Sequence, residues 1–152
     1  MNRRAKIREE LHALFLPLYD ALCAELGEHW QPYYGLRTFD EQDKLYAQGR
    51  TAPGNIVTRA RGGQSPHNYG LACDWCIWEG SRPIWPPRDD VRWRELEQAC
   101  EKVGARWGGH FAGFWDGGHV EFPIKQAWSK VFEVYKALGR EAALKFIERH
   151  KE

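Results

Sequence analysis

The segment SPHNYGLACDWC, at positions 65–76, combines two kinds of side chain that could do chemistry. His67 and Asp74 are seven residues apart with a glycine between them, and both are of types that bind metals. Cys73 and Cys76 form a C-x-x-C pair, a spacing found in thiol redox sites. Taken alone, the His67–Asp74 pair is explained more simply by a structural hydrogen bond than by a metal.

The segment WDGGHVEF, at positions 115–122, supplies a second histidine and a second carboxylate. Its two glycines disfavour a helix and allow a bend that turns Asp116 and His119 towards one spot. Two histidines and one aspartate make a three-ligand set with an open fourth position, which is typical of catalytic rather than structural zinc. The predicted ligands are therefore His67, Asp74 and His119. Asp116 is either a further carboxylate near the metal or an ordinary turn residue beside glycine.

The cysteine pair is the weaker candidate for chemistry. If residues 71–78 form a strand, Cys73 and Cys76 point to opposite faces, because side chains alternate along a strand. Neither a helix start nor a βαβ unit accompanies the pair, as a thioredoxin-like site would require. We expect all four cysteines to be reduced: Cys23, Cys73, Cys76 and Cys100.

The elements that must position these residues begin with a helical N-terminal segment at about residues 3–27, where apolar residues recur at helical spacing. Pro17 either kinks one helix or occupies the first turn of a second. YYGLRT is predicted to be a short strand. The next helix is capped by Thr38 or Asp40 and ends near Gly49.

A long loop rich in glycine and polar residues precedes His67, and YGLACDWCIW is predicted to be a strand. A helix follows from Trp93 to Gly104, then the short strands ARWGG and HVEF. Pro123 is predicted to begin a helix that Gly139 interrupts. Helices that flank a few short strands without a βαβ period predict a single α+β domain with a small, mainly antiparallel sheet. Its catalytic core would span about residues 33–122, followed by C-terminal helices at about 124–150.

The composition of the chain narrows the classes of function. Its 152 residues suit one domain, and a net charge of +1 gives no field that would attract nucleic acid or an acidic membrane. No apolar run is long enough to cross a bilayer. The eight tryptophans predict an aromatic core, or a groove lined by some of them. We expect a monomer.

Together these motifs resemble the zinc D-Ala-D-Ala carboxypeptidase and L-alanoyl-D-glutamate endopeptidase family, which includes many phage endolysins. The shared pattern is S-x-H-x-x-G-x-A-x-D followed downstream by D/E-x-x-H, and it covers a region from about residue 33 to 122. All its fixed positions are present: Ser65, His67, Gly70, Ala72, Asp74, Asp116 and His119. Relatives often carry an acidic residue after WGG, where this chain has His110. That histidine could lie near the metal, bind substrate or face solvent, and it is not a predicted ligand.

The resemblance implies a role for each site residue. Zn²⁺ would be held by three ligands: His67, Asp74 and His119. Asp116 would be the general base. Taken alone, Arg37 is interpreted as a surface charge at a strand end. The resemblance makes it the active-site arginine, which would stabilise the oxyanion or bind a substrate carboxylate. Ser65 would support the site by hydrogen bonding.

The resemblance also implies a substrate, the stem peptide of bacterial peptidoglycan, cut at the L-Ala–D-Glu bond. A D-Ala-D-Ala carboxypeptidase or dipeptidase with the same zinc site is the nearest alternative, and an inactive zinc-containing binding module is another. No secretion signal is recognised in the sequence. We therefore expect an endolysin that is made in the host cytoplasm and reaches the cell wall after the membrane is permeabilised. The C-terminal helices would complete the core or help to bind the wall.

Overall fold

The structure is a computed structural model that describes residues 2–152, and it is an α+β fold. Its six α-helices are α1 (Arg3–Arg8), α2 (Leu16–Glu25), α3 (Phe39–Ala47), α4 (Trp93–Val103), α5 (Trp128–Leu138) and α6 (Arg140–Arg149). Its five strands are β1 (Trp30–Tyr34), β2 (Ala72–Glu79), β3 (Arg82–Ile84), β4 (Arg106–Trp107) and β5 (His119–Glu121). The predicted α+β class with a small antiparallel sheet is confirmed.

The sheet is built around β2, the longest strand. Its order is β1-β2-β5-β4, with β3 also paired to β2, and every pairing is antiparallel. The apolar run of β2 suits this central position, because a strand covered on both faces needs apolar residues on each. Asp74 interrupts that run, so a carboxylate occupies a position of the central strand where an apolar side chain would be expected.

The backbone of this small domain forms two compact units, and the first contains the whole sheet. It comprises the chain up to Leu36 together with Gly70–Pro123, and so includes α1, α2 and α4. Pro17 lies in the first turn of α2, which confirms the second of the two predicted alternatives. The core of this unit is rich in tryptophan, as predicted: the buried ones are Trp30, Trp75, Trp93 and Trp107.

The second unit consists of Arg37–Tyr69 and Ile124–Glu152, and it is helical. Thr38 caps α3 in a capping box, in which its side chain accepts the N–H of Glu41 and the Glu41 carboxylate accepts the N–H of Thr38. The prediction that Pro123 begins a helix is wrong, since α5 starts at Trp128. Instead, Ile124 forms an isolated bridge with Lys151, and the Lys125 N–H donates to the His150 carbonyl. Within residues 2–152, no helix has the length and apolar character needed to cross a bilayer.

Candidate metal centre

His67 lies in a single 3-10 turn, Pro66–Tyr69, whose hydrogen bonds are made mostly by its immediate neighbours. Ser65 Oγ accepts the His67 N–H at 3.3 Å, and the Ser65 carbonyl accepts the Asn68 N–H at 3.0 Å. The Asn68 side-chain oxygen accepts the N–H groups of Gly63 and Ser65 at 2.9 and 3.2 Å. All these residues are buried, so the loop that presents His67 is fixed by short-range polar contacts.

Arg37 is tied to the same turn. Its backbone N–H donates to the His67 carbonyl at 3.0 Å, and its own carbonyl accepts the Asn68 side-chain N–H at 3.1 Å. Its guanidinium donates to Oε1 of the fully buried Gln42 at 3.0 Å. Arg37 lies beyond the end of β1, which stops at Tyr34, and not in the strand as predicted. Its position is therefore set by the turn that carries His67.

Asp74 lies on β2, the central strand of the sheet. Gly70 adopts φ +70, a left-handed conformation that residues with a side chain rarely accept, and the chain turns there into β2. Asp74 is the third residue of β2, and it pairs with Tyr34 of β1 on one side and with His119 of β5 on the other. The antiparallel register of β2 and β5 therefore brings this carboxylate and this imidazole together.

His119 is buried between two carboxylates. Its Nδ1 lies 3.4 Å from Asp74 Oδ1, and its Nε2 lies 2.8 Å from Glu121 Oε1. An ionised carboxylate can only accept hydrogen bonds, so the Glu121 contact requires the Nε2–H and leaves Nδ1 facing Asp74. Burial alone would lower the pKa of His119, but the neighbouring carboxylates of Asp74 and Glu121 outweigh it and raise that pKa to about 10.

His67, Asp74 and His119 are together a candidate set of metal ligands. Each offers one ligand atom, and the three atoms all lie within 4.8 Å of one another. Ligands in a tetrahedral site with bonds of about 2.0–2.1 Å are separated by roughly 3.3 Å, and Asp74 Oδ1 lies 3.4 Å from His119 Nδ1. Two imidazoles and a carboxylate are also a donor set that zinc accepts. The residues present therefore fit a zinc ion.

Asp116 begins the turn that leads into β5. The His119 N–H donates to the Asp116 carbonyl at 3.1 Å, and the Asp116 N–H donates to the Gly108 carbonyl at 3.1 Å. Asp116 is partly exposed, whereas His119 is buried. The turn thus holds the partly exposed Asp116 three residues before the buried His119.

His110 and the cysteine pair lie outside this constellation. His110 is exposed, and its Nε2 lies 3.0 Å from Oε1 of Glu97. Cys73 and Cys76 are buried in β2, where Cys73 pairs with Val120 and Cys76 with Gln31. Burial raises the pKa of the Cys76 thiol to about 12 and that of Cys73 well above its usual range. Such thiols carry almost no thiolate at neutral pH, which argues against a redox role.

Glu121 is the site residue that sequence reasoning missed. The signal was present in HVEF, because residues two apart in a strand lie on the same face and Glu121 must share that face with His119. Without the pairing of β5 to its neighbours, nothing distinguishes this glutamate from a solvated one. In the structure it is 4% exposed and also lies 3.5 Å from the Arg106 guanidinium.

A group of two histidines and one aspartate that could hold a metal ion is typical of a catalytic metal site, and comparison with known proteins identifies the class as metallopeptidase. Residues 58–122 match the family model described as D-alanyl-D-alanine carboxypeptidase. The chain belongs to this family, the M15 family of metallopeptidases, which confirms the predicted resemblance.

Two relatives define the comparison further. The chain is 45% identical to the peptidoglycan L-alanyl-D-glutamate endopeptidase CwlK of Bacillus subtilis, over 76% of this chain and 75% of that protein. Its fold is similar to the crystal structure of the L-Ala D-Glu endopeptidase ChiX of Serratia marcescens, with a TM-score of 0.51 at 18% identity. That match covers 78% of this chain and 85% of the other.

Proposed function

We propose that this chain is a zinc-dependent peptidoglycan endopeptidase that hydrolyses the L-Ala–D-Glu bond of the stem peptide. The observation that carries the proposal is the grouping of His67, Asp74 and His119 within 4.8 Å, in a chain 45% identical to an L-alanyl-D-glutamate endopeptidase. These three residues would hold the ion. The coarser assignment, a metallopeptidase of this family, does not depend on which divalent ion is bound.

Glu121 would orient one ligand. A metal-binding histidine usually donates its second ring N–H to a carboxylate or carbonyl, which fixes the tautomer and the direction of the ring. Glu121 Oε1 lies 2.8 Å from His119 Nε2, so Nδ1 is left as the ligand atom. Bound zinc would supply Lewis acidity, which acidifies water and polarises a carbonyl.

Asp116 would act as the general base. It would take a proton from the attacking water and deliver it to the departing amine, a contribution of about 10²–10⁴-fold. Its partly exposed place at the start of the turn into His119 supports this role. No side-chain nucleophile is involved, so no acyl-enzyme should accumulate.

Arg37 would stabilise the charge that develops on the scissile carbonyl oxygen, or hold a carboxylate of the substrate. The fixed fork of donors on a guanidinium suits both tasks. Its backbone hydrogen bond to His67 and its side-chain hydrogen bond to buried Gln42 support a fixed position. Ser65 would support the site indirectly, through its hydrogen bond to the His67 N–H.

The biological setting we propose is that of a phage endolysin. Such an enzyme would be made in the host cytoplasm and would meet the cell wall once the membrane is permeabilised. The family resemblance supports this setting, and detection of the protein in a lysing culture together with a membrane-permeabilising partner would test it.

Mass spectrometry of the products from purified peptidoglycan tests the reaction. We expect cleavage at L-Ala–D-Glu that stops with a chelator and returns with zinc. Asp116→Ala should keep zinc and lose hydrolysis, whereas His119→Ala should lose both. Substantial cleavage by Asp116→Ala would show that the base is assigned wrongly, and undiminished activity in metal-free protein would refute the proposal as a whole.

A D-Ala-D-Ala carboxypeptidase with the same zinc site is the second candidate. It is favoured by the description of the family model that matches residues 58–122. The two reactions differ in the bond that lies over the metal, and so in their products. Release of free D-alanine without cleavage at L-Ala–D-Glu would favour this second activity.

A further inference from the structure

Three aromatic rings form a connected, partly exposed surface in the first unit, which we call the aromatic platform: Tyr33, Tyr34 and Trp85. Tyr33 contacts Tyr34 edge-on with ring centroids 4.7 Å apart, and it contacts Trp85 in the same way at 5.5 Å. Tyr34 is 52% exposed and Trp85 is 48% exposed. Large aromatic side chains that remain this exposed in a connected group mark binding surfaces more often than isolated ones do.

An irregularity in β1 produces the platform. The register of β1 against β2 shifts between Pro32 and Tyr34. In a regular strand, consecutive side chains point to opposite faces, so Tyr33 and Tyr34 would be kept apart. A bulge re-aims side chains locally, and bulges are common beside active sites. Here it allows both tyrosine rings to join one surface.

The platform contacts the segments that carry two of the candidate metal ligands, Asp74 and His119. Tyr34 is the β1 partner of Asp74. The Trp85 ring lies so close to Gly118 that a Cβ built on that glycine would be 2.6 Å from the ring. Gly118 immediately precedes His119, so the ring lies against the backbone next to a predicted zinc ligand. The second glycine of the D-G-G-H motif thus makes room for an aromatic side chain.

We propose that the aromatic platform binds the amino sugar that carries the stem peptide. This inference rests on the proposed L-Ala–D-Glu endopeptidase activity. In that substrate the L-Ala nitrogen is acylated by the lactyl group of the sugar, so the sugar lies about two residue lengths, roughly 7 Å, from the scissile carbonyl. A surface that touches the residue before His119 is within that reach.

The chemistry of the rings suits a sugar. One face of a pyranose ring presents C–H groups, and these pack on the electron-rich face of an aromatic ring. The tyrosine hydroxyls add polar ends that can bond sugar hydroxyl and acetamido groups. A peptide of small and acidic residues, such as the stem itself, has no large apolar face to offer the platform.

Paired substrates test the proposal: the free stem peptide, and the same peptide attached to N-acetylmuramic acid. Wild type should cleave the sugar-bearing substrate with the lower KM. In Trp85→Ala and in Tyr34→Ala that KM should rise about tenfold, the size of a lost aromatic contact. The rise should clearly exceed any change in KM for the free peptide, so that the preference for the sugar-bearing substrate is lost. Trp85→Phe, which keeps a ring, should recover most of the preference.

Val91→Ala is the matched control, since Val91 is 68% exposed and lies outside the platform. It should behave as wild type with both substrates. Equal losses with both substrates in the folded, zinc-loaded Trp85 and Tyr34 variants, or no loss with either, would overturn the proposal. If Trp85→Ala does not fold, the comparison of the two substrates with Tyr34→Ala decides the outcome, because Tyr34 is the more exposed of the two residues. Failure of wild type to cleave either substrate would instead refute the proposed function.

Discussion

Replacing Glu121 by glutamine should weaken zinc binding without removing any ligand. The Glu121 Oε1–His119 Nε2 distance of 2.8 Å is that of a charge-assisted hydrogen bond, and both side chains are almost excluded from water. Glutamine preserves the volume and one oxygen acceptor but removes the charge. Loss of such an outer partner costs about 10–100-fold in metal affinity, which at about 1.4 kcal/mol per tenfold is about 1.4–2.8 kcal/mol.

Competition with a chromogenic chelator measures this affinity directly, independently of peptidase activity. Arg106→Gln is one control, because it removes the cation 3.5 Å from Glu121 and leaves the carboxylate on His119. Glu79→Gln is the other, because it removes a carboxylate from the exposed end of β2. Both should bind zinc nearly as wild type does. A folded Glu121→Gln protein with wild-type zinc affinity would refute the assignment of Glu121 as the residue that orients His119.

Three further outcomes follow from the structure. Gly118→Ala should lower the free energy of unfolding by about 1–3 kcal/mol in a denaturant titration. The new Cβ would be 2.6 Å from the Trp85 ring and 2.7 Å from the Trp75 carbonyl oxygen. Unchanged stability would contradict that packing. Arg37→Ala should retain zinc but lose about 10²–10³-fold in kcat, and a full kcat would remove Arg37 from the mechanism. Replacement of Cys73 and Cys76 together by alanine should leave peptidase activity largely intact, whereas its abolition with zinc still bound would revive a role for the thiols.

Local patterns in the sequence predicted most of the secondary structure. Three helix boundaries are each encoded within a few residues. They are the capping box that starts α3 at Thr38, the left-handed glycine that ends α4 at Gly104, and the break between α5 and α6 at Gly139. Each is set by backbone sterics or by a side chain that bonds the nearest backbone groups, so no distant partner is needed. The start of α5 was misplaced because Pro123 suits a first helical turn, whereas the neighbouring residues pair with the C-terminus of the chain.

The candidate site was predictable in its residue types and less so in its arrangement. His67, Asp74 and His119 were identified from their chemistry and spacing, and the structure groups them. Arg37 was placed at the end of a strand, but it lies beyond β1 and is bonded to the turn that carries His67. Contacts of this kind join residues thirty apart, and no periodicity in the sequence records them.

The sequence by itself determined which side chains could bind a cation and which local turns present them, because ligand chemistry and the conformational freedom of glycine belong to individual residues. Only the tertiary structure decided that Glu121 faces His119 and that Trp85 covers Gly118. These relations depend on strand register and on packing between segments far apart in the chain. A shift of one residue in β5 would turn Glu121 and His119 to the other face of the sheet, with the sequence unchanged.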